Sequence, residues 1–182
     1  MKELSFYLVT DTHYFDTSFK ASGPAYERRS RTDQKCVAET PAVIDAGFAQ
    51  IAADKDTDII LIPGDLVYRG EYQSHVGFRE RLYRLKEQGK HIYLITARHD
   101  YGGNPVEFDG EEEIPVKEMK REDLRDFYRD FGFDEAISEH KNPCLMLYSF
   151  SRVTVCLHLI ATGTARILKV CGTIRCSGRL MK

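Results

Sequence analysis

The sequence predicts an α/β chain built from parallel βαβ units, and three observations carry that expectation. Three short apolar runs, Leu4–Val9, Asp58–Ile62 and His91–Thr96, each stop abruptly in polar residues. Segments with helical spacing separate them. Each run also delivers an acid or a histidine just past its carboxyl end, where open parallel sheets bind their ligands.

Leu4–Val9 is β-rich and leaves through Thr10-Asp11, as a buried strand does. Tyr14 to Lys35 is polar, contains Gly23-Pro24 and shows no helical or alternating period, so it reads as a long loop. Thr40 then offers an N-cap with Pro41 at the first helical position, and Ile44, Phe48, Ile51 and Ala52 fall on one helical face as far as about Asp54. The second run ends in Pro63-Gly64-Asp65 and reads as a central strand buried on both faces. Phe78, Leu82 and Leu85 mark a helix from about Glu71 to Gln88, with Gly89 as its stop. His75 and His91 read as surface or capping histidines. The third strand exits through Ala97-Arg98-His99-Asp100. Gly102 to Val116, with its acid run Glu111–Glu113, reads as a solvated loop. Leu124, Phe127, Tyr128 and Phe131, closed by Gly132, form a helix whose aromatic stripe belongs to the core, and Leu145–Phe150 starts another strand.

At 182 residues the chain is long enough for one well-packed domain. A hydrophobic content of 42% excludes a disordered chain, and 30% charged residues exclude a membrane bundle. No run is long enough to span a bilayer and no signal-peptide pattern opens the sequence, so a cytoplasmic protein without membrane contact is expected. Five Cys without a C-x-x-C pair argue for reduced thiols over disulfides or a zinc ribbon.

The formal charge of −2 sums two unlike parts. Residues 1–150 hold all 28 acids, whereas residues 151–182 hold six Lys and Arg, three Cys and no acid. At the acid density of the first part, 32 residues should hold about six acids. The division is therefore drawn at 150, with 151–182 a compositionally foreign tail. Three origins stay open for it: a pair of buried strands, a basic nucleic-acid tail, or translation in a shifted frame after about Phe150. Its cations are too diluted among apolar residues for the second, so no nucleic-acid partner is expected.

Asp11-x-His13 alone arises easily by chance; its position at a strand exit gives it weight. Asp11 and His13 leave the first strand, Asp65 the second, and His99-Asp100 the third. Carboxylate and imidazole together suit Mn, Fe or Zn, and a carboxylate bridges two such ions. No G-x-G-x-x-G follows the first strand, which sets a dinucleotide-binding fold aside.

The order Asp11-x-His13, Gly64-Asp65, His99-Asp100 resembles the calcineurin-like metallophosphoesterase superfamily over residues 4 to about 101, and more loosely to 150. The resemblance implies the first half of an α/β/β/α sandwich and a phosphoester hydrolase that uses two divalent ions on a phosphorylated small molecule or nucleotide. Asp11 and His13 would bind the first ion and Asp65 would bridge both. His99 would assist the leaving group or transition state, oriented by Asp100.

Two departures from the family pattern bear on activity. Ala97-Arg98 stands where the family has Gly-Asn, so a guanidinium replaces an amide ligand. Arginine does not ligate. Arg98 either clamps a substrate phosphate or marks a weakened second metal position, for which Asn104 is a distant substitute. After His99 only His140 and His158 remain, neither in the family's closing G-H-x-H. Weak metal binding and little turnover are therefore expected, and a catalytically inactive fragment or an anion-binding module of the same fold is the competing reading. Arg28, Arg29 and Arg31 are expected on a solvated loop, with a role at the mouth of the site as the alternative.

Overall fold

A computed structural model describes residues 5–136 throughout and, beyond them, the backbone of strand segments at 138–139, 145–150, 153–159 and 165–171. In chain order come β1 (Phe6–Leu8), β2 (Ala21–Ser22), α1 (Pro24–Thr32), α2 (Thr40–Ala53), β3 (Ile59–Pro63), α3 (Tyr72–Glu87), β4 (His91–Ile95), β5 (Val106–Asp109), β6 (Glu112–Pro115), α4 (Arg121–Phe127), β7 (Ser138–Glu139), β8 (Leu145–Phe150), β9 (Val153–Leu159) and β10 (Ala165–Cys171).

The expected parallel sheet is present in the order β1-β3-β4, with Phe6 opposite Ile59 and Ile59 opposite His91. β3 is the central strand. Ile60, Leu61 and Ile62 are fully buried, which is why its sequence is continuously apolar instead of alternating. α2 and α3 pack into the same core, their Phe48 and Phe78 rings 6.0 Å apart. Leu124, Tyr128 and Phe131 are fully buried in it as well, as expected of core residues, but α4 ends at Phe127 and Tyr128 and Phe131 lie in the turns that follow it. β7 to β10 form an antiparallel sheet in the order β10-β9-β8-β7, and β9 approaches β3 and β4. Two of its strands thus run through the stretch of foreign composition.

Three local expectations need correction. Tyr14 to Lys35 is not one loop, because β2 and α1 lie within it. Pro24 opens α1 at a position where its missing N–H costs nothing, and Ala25 is buried at the helix start. Gly102 to Val116 holds the hairpin β5-β6, whose strand Val106–Asp109 alternates buried and accessible residues. The hairpin turns at Gly110 (φ +61°), and β5 adds β2 as a parallel neighbour. α2 begins at Thr40 itself and not after it. The Thr40 hydroxyl, instead of capping, accepts the Phe15 N–H (3.1 Å) and donates to the Val37 carbonyl (3.2 Å).

These corrected elements build a second small core of Phe15, Ala25, Val37, Tyr68, Val106 and Phe108. The arginines of α1 tie it down: Arg28 pairs with Glu111 (2.7 Å) and Arg29 with Glu113 (2.5 Å), while Arg31 reaches only Glu27 of its own helix (3.7 Å). They serve α1 and its hairpin, not a loop. No helix among the described residues is long and apolar enough to cross a membrane.

Candidate metal centre

The three parallel strands end together, and their exits are stitched by backbone hydrogen bonds. His13 N–H donates to the Asp65 carbonyl (3.0 Å), Tyr14 N–H to Leu66 (2.9 Å) and Tyr68 N–H to Tyr14 (3.0 Å). Asp11, His13 and Asp65 have φ of 54°, 41° and 53°. Left-handed backbone at a non-glycine costs on the order of 1 kcal/mol or more per residue and persists only where the surroundings enforce it. Three such residues within two adjoining exits mark a place where fixed side-chain direction takes precedence over local relaxation.

Gly64 makes the junction possible. Its φ is +95°, and a Cβ there would lie 2.6 Å from the Ala97 Cβ. The second and third exits touch at this point, so the alanine at position 97 fits only because position 64 has no side chain.

One donor atom each from Asp11, His13 and Asp65 lies within 4.8 Å of the others. Asp65 is buried, His13 half-buried and Asp11 exposed, which gives a site open on one side. His13 Nε2 lies 4.0 Å from Asp65 Oδ2, while its Nδ1 is buried without a hydrogen-bond partner among the described residues. Burial, reinforced by Lys35 and His99, lowers the His13 pKa to about 4, leaving its imidazole neutral. Burial also pushes the Asp65 carboxyl up, against the opposing effect of His99. Two carboxylates and a neutral imidazole are a donor set for a divalent transition ion, so the residues present fit the metal that the resemblance implies.

Arg98, His99 and Asp100 form a single 3-10 turn after β4. The His99 ring stands edge-on to His13 with centroids 5.0 Å apart, and its backbone N–H donates to Asp65 Oδ1 (3.3 Å). Lys35 Nζ lies 3.1 Å from His99 Nδ1. An ammonium only donates, so Nδ1 is the acceptor and the ring proton sits on Nε2. Burial and Lys35 together lower the His99 pKa. His99 therefore offers an N–H while neutral; it need not be cationic to serve as a donor.

Asp100 does not orient the His99 ring as expected. It is fully buried, and its carboxylate accepts the amides of Leu66 (2.7 Å), Val67 (3.2 Å) and Ala97 (2.6 Å). Burial pushes its pKa up to about 7, against those three donors, which favour the anion. Asp100 positions His99 by fixing the backbone of both exits.

Two residues carry more than their sequence contexts indicate. His75 is fully buried, not superficial. Its Nε2–H donates to the Asp100 carbonyl (2.9 Å), which leaves Nδ1 to accept the Tyr128 hydroxyl (2.8 Å). Lys35 reaches His99 across 64 positions of sequence, a contact without a local signal. Its helical spacing to Phe78 and Leu82 was the readable sign for His75. Asn104 is exposed, and His91 is exposed at the start of β4. His140 and the side chain of His158 lie outside the described residues.

A parallel sheet whose exits gather two carboxylates and an imidazole defines an α/β protein with a candidate site for a divalent ion. The chain belongs to the calcineurin-like phosphoesterases, whose family model matches residues 4–167. No curated protein matches it.

Proposed function

We propose that the protein hydrolyses phosphoesters with the help of a divalent cation held by Asp11, His13 and Asp65. The observation that carries this reading is the convergence of those three residues at the strand exits, one donor atom of each lying within 4.8 Å of the others. A divalent ion supplies Lewis acidity toward a phosphoryl oxygen and makes water a competent nucleophile at neutral pH.

The chain's own residues supply the rest. Asp65 carries two carboxylate oxygens at the junction of the exits, one of them steadied by the His99 amide. His99, its tautomer set by Lys35, presents Nε2–H to the leaving oxygen as a hydrogen-bond donor. Arg98 is exposed, without a hydrogen bond or ion pair among the described residues, and its guanidinium suits a phosphate bidentately. A second divalent ion would be held by Asp65 without the amide ligand of the family pattern, since Arg98 stands at that position and does not ligate, and would bind more weakly than the first. The substrate is a phosphorylated small molecule or nucleotide.

The free guanidinium favours one other reading, in which the chain binds phosphate without turnover. A chromogenic assay with p-nitrophenyl phosphate and its bis-ester separates the two. Mn-dependent turnover that falls by at least about 100-fold in Asp65→Asn is the expected result. Bound metal without turnover, or turnover indifferent to Asp65→Asn, would reject the hydrolase.

A further inference from the structure

Next to the metal-ligand cluster the exits leave a cavity of about 400 Å³, walled by Asp33, Lys35, Arg69, Arg98, His99 and the pair Gly102-Gly103. Its charge is lopsided. Three cations face one carboxylate, and that carboxylate is occupied: Asp33 accepts the Tyr68 hydroxyl (2.6 Å) and the Lys35 amide (3.0 Å). Burial pushes the Asp33 carboxyl up, but those two hydrogen bonds together with the charges of Lys35 and Arg29 outweigh it and hold the pKa below the usual value.

The cations retain donors. Lys35 Nζ engages His99 Nδ1 (3.1 Å) and the Tyr68 carbonyl (3.4 Å), leaving one of its three N–H bonds. Arg69 rests over the Tyr68 ring at 5.1 Å and reaches Glu113 only at 3.4 Å. Arg98 has no partner among the described residues. The wall between them is backbone. A Cβ on Gly103 would lie 2.5 Å from the Arg69 carbonyl oxygen, so the two exit loops touch directly and backbone forms this part of the wall.

His99 belongs to both places, lining the cavity while standing edge-on to His13. A phosphoryl group at the metal cluster would therefore have its neighbouring substituent on the side of the cavity that Lys35, Arg69 and Arg98 line. We infer that this cavity holds a second, non-reacting phosphate of the substrate, so that the preferred substrates are bisphosphorylated small molecules. A guanidinium pair with an ammonium matches a phosphate, with several oxygens to satisfy, better than a lone hydroxyl or an uncharged ring. The inference rests on the hydrolase reading for the position of the scissile group, but the anion site itself does not need the metal.

That difference sets the experiment. Chelator-treated protein is titrated calorimetrically with inorganic phosphate, and separately with Mn, for the wild type, Arg98→Gln, Arg69→Gln/Arg98→Gln and the remote control Arg28→Gln. Phosphate affinity is expected to fall about tenfold or more in the double variant and in part in Arg98→Gln, with Mn affinity and the control unchanged. In the Mn-loaded protein, propane-1,3-diol bisphosphate is expected to exceed propyl phosphate at least about tenfold in kcat/KM, and the double variant to lose that preference. Arg98 is exposed, so its single variant keeps the test readable if the double variant folds poorly. Phosphate affinity that depends on the arginines without any Mn binding would overturn the metal reading and leave the anion site standing. Wild-type protein that ignores millimolar phosphate, affinity indifferent to both arginines, or equal turnover of the two esters would overturn the inference.

Discussion

The strand exits and the small α1-hairpin unit are both loop-rich, yet they are held by opposite means. At the exits the fixing contacts are buried and directional: one carboxylate, Asp100, gathers three amides, and three residues sit in left-handed backbone. In the α1-hairpin unit the contacts are a handful of apolar side chains and ion pairs at the surface, such as Arg28 with Glu111. Exposed pairs of that kind contribute little. The first arrangement fixes the directions of Asp11, His13, Asp65 and His99. The second only has to keep α1 and the hairpin in place.

The difference is sharpest at Asp100. Asp100→Ala strands three buried amides at about 1–3 kcal/mol each, so the protein is expected to lose on the order of 5 kcal/mol and most of its folded population. Asp100→Asn, which keeps one acceptor oxygen, should cost about 2 kcal/mol, measured by urea denaturation. A loss under 1 kcal/mol for Asp100→Ala would show that the exits are not built on this carboxylate.

Phe108 tests the other region. It is fully buried among Phe15 and Tyr26, and Phe108→Ala is expected to cost about 3 kcal/mol. Hydrogen exchange should then accelerate in α1 and in β5 and β6 while β1, β3 and β4 stay protected. Uniform acceleration would mean that the two regions unfold as one.

His75 gives a graded test through pH. Burial lowers its pKa from 6.5 to about 4, so between these values the unfolded chain binds the proton and the folded chain does not. Stability from this group is complete above pH 6.5 and falls as pH drops toward 4, by up to about 3 kcal/mol. Asp100 and Glu71, both pushed up to about 7 by burial, act in the opposite sense over this range. The readout is therefore the wild-type stability minus that of His75→Phe, which should shrink on acidification. A difference constant with pH would remove His75 from the account.

The same contrast explains what the sequence made legible. Asp11, His13, Asp65 and His99 each sit within a few residues of an apolar run's end, so a local pattern located them and the sheet brought them together. Phe15, Val37, Tyr68 and Phe108 come from four separate stretches, and a core assembled at such distances has no period to read. Some signals were present and weak. Asp109-Gly110 between Val106-Glu107-Phe108 and Ile114 has the composition of a tight hairpin turn, and Gly23-Pro24 that of a helix start; in both, the abundance of charge around them obscured the pattern. The partners of Asp100 were not legible, because its three donors are backbone amides whose positions exist only in the folded chain. Lys35 was hidden for the same reason.

Metal binding by Asp11, His13 and Asp65 underlies the functional account, and equilibrium dialysis against Mn or Zn with elemental analysis measures it directly. About one tightly held ion per chain is expected, lost in His13→Ala and Asp65→Ala and retained in Arg98→Gln. Protein that emerges without metal, or that holds it equally well after both ligand substitutions, would contradict the account.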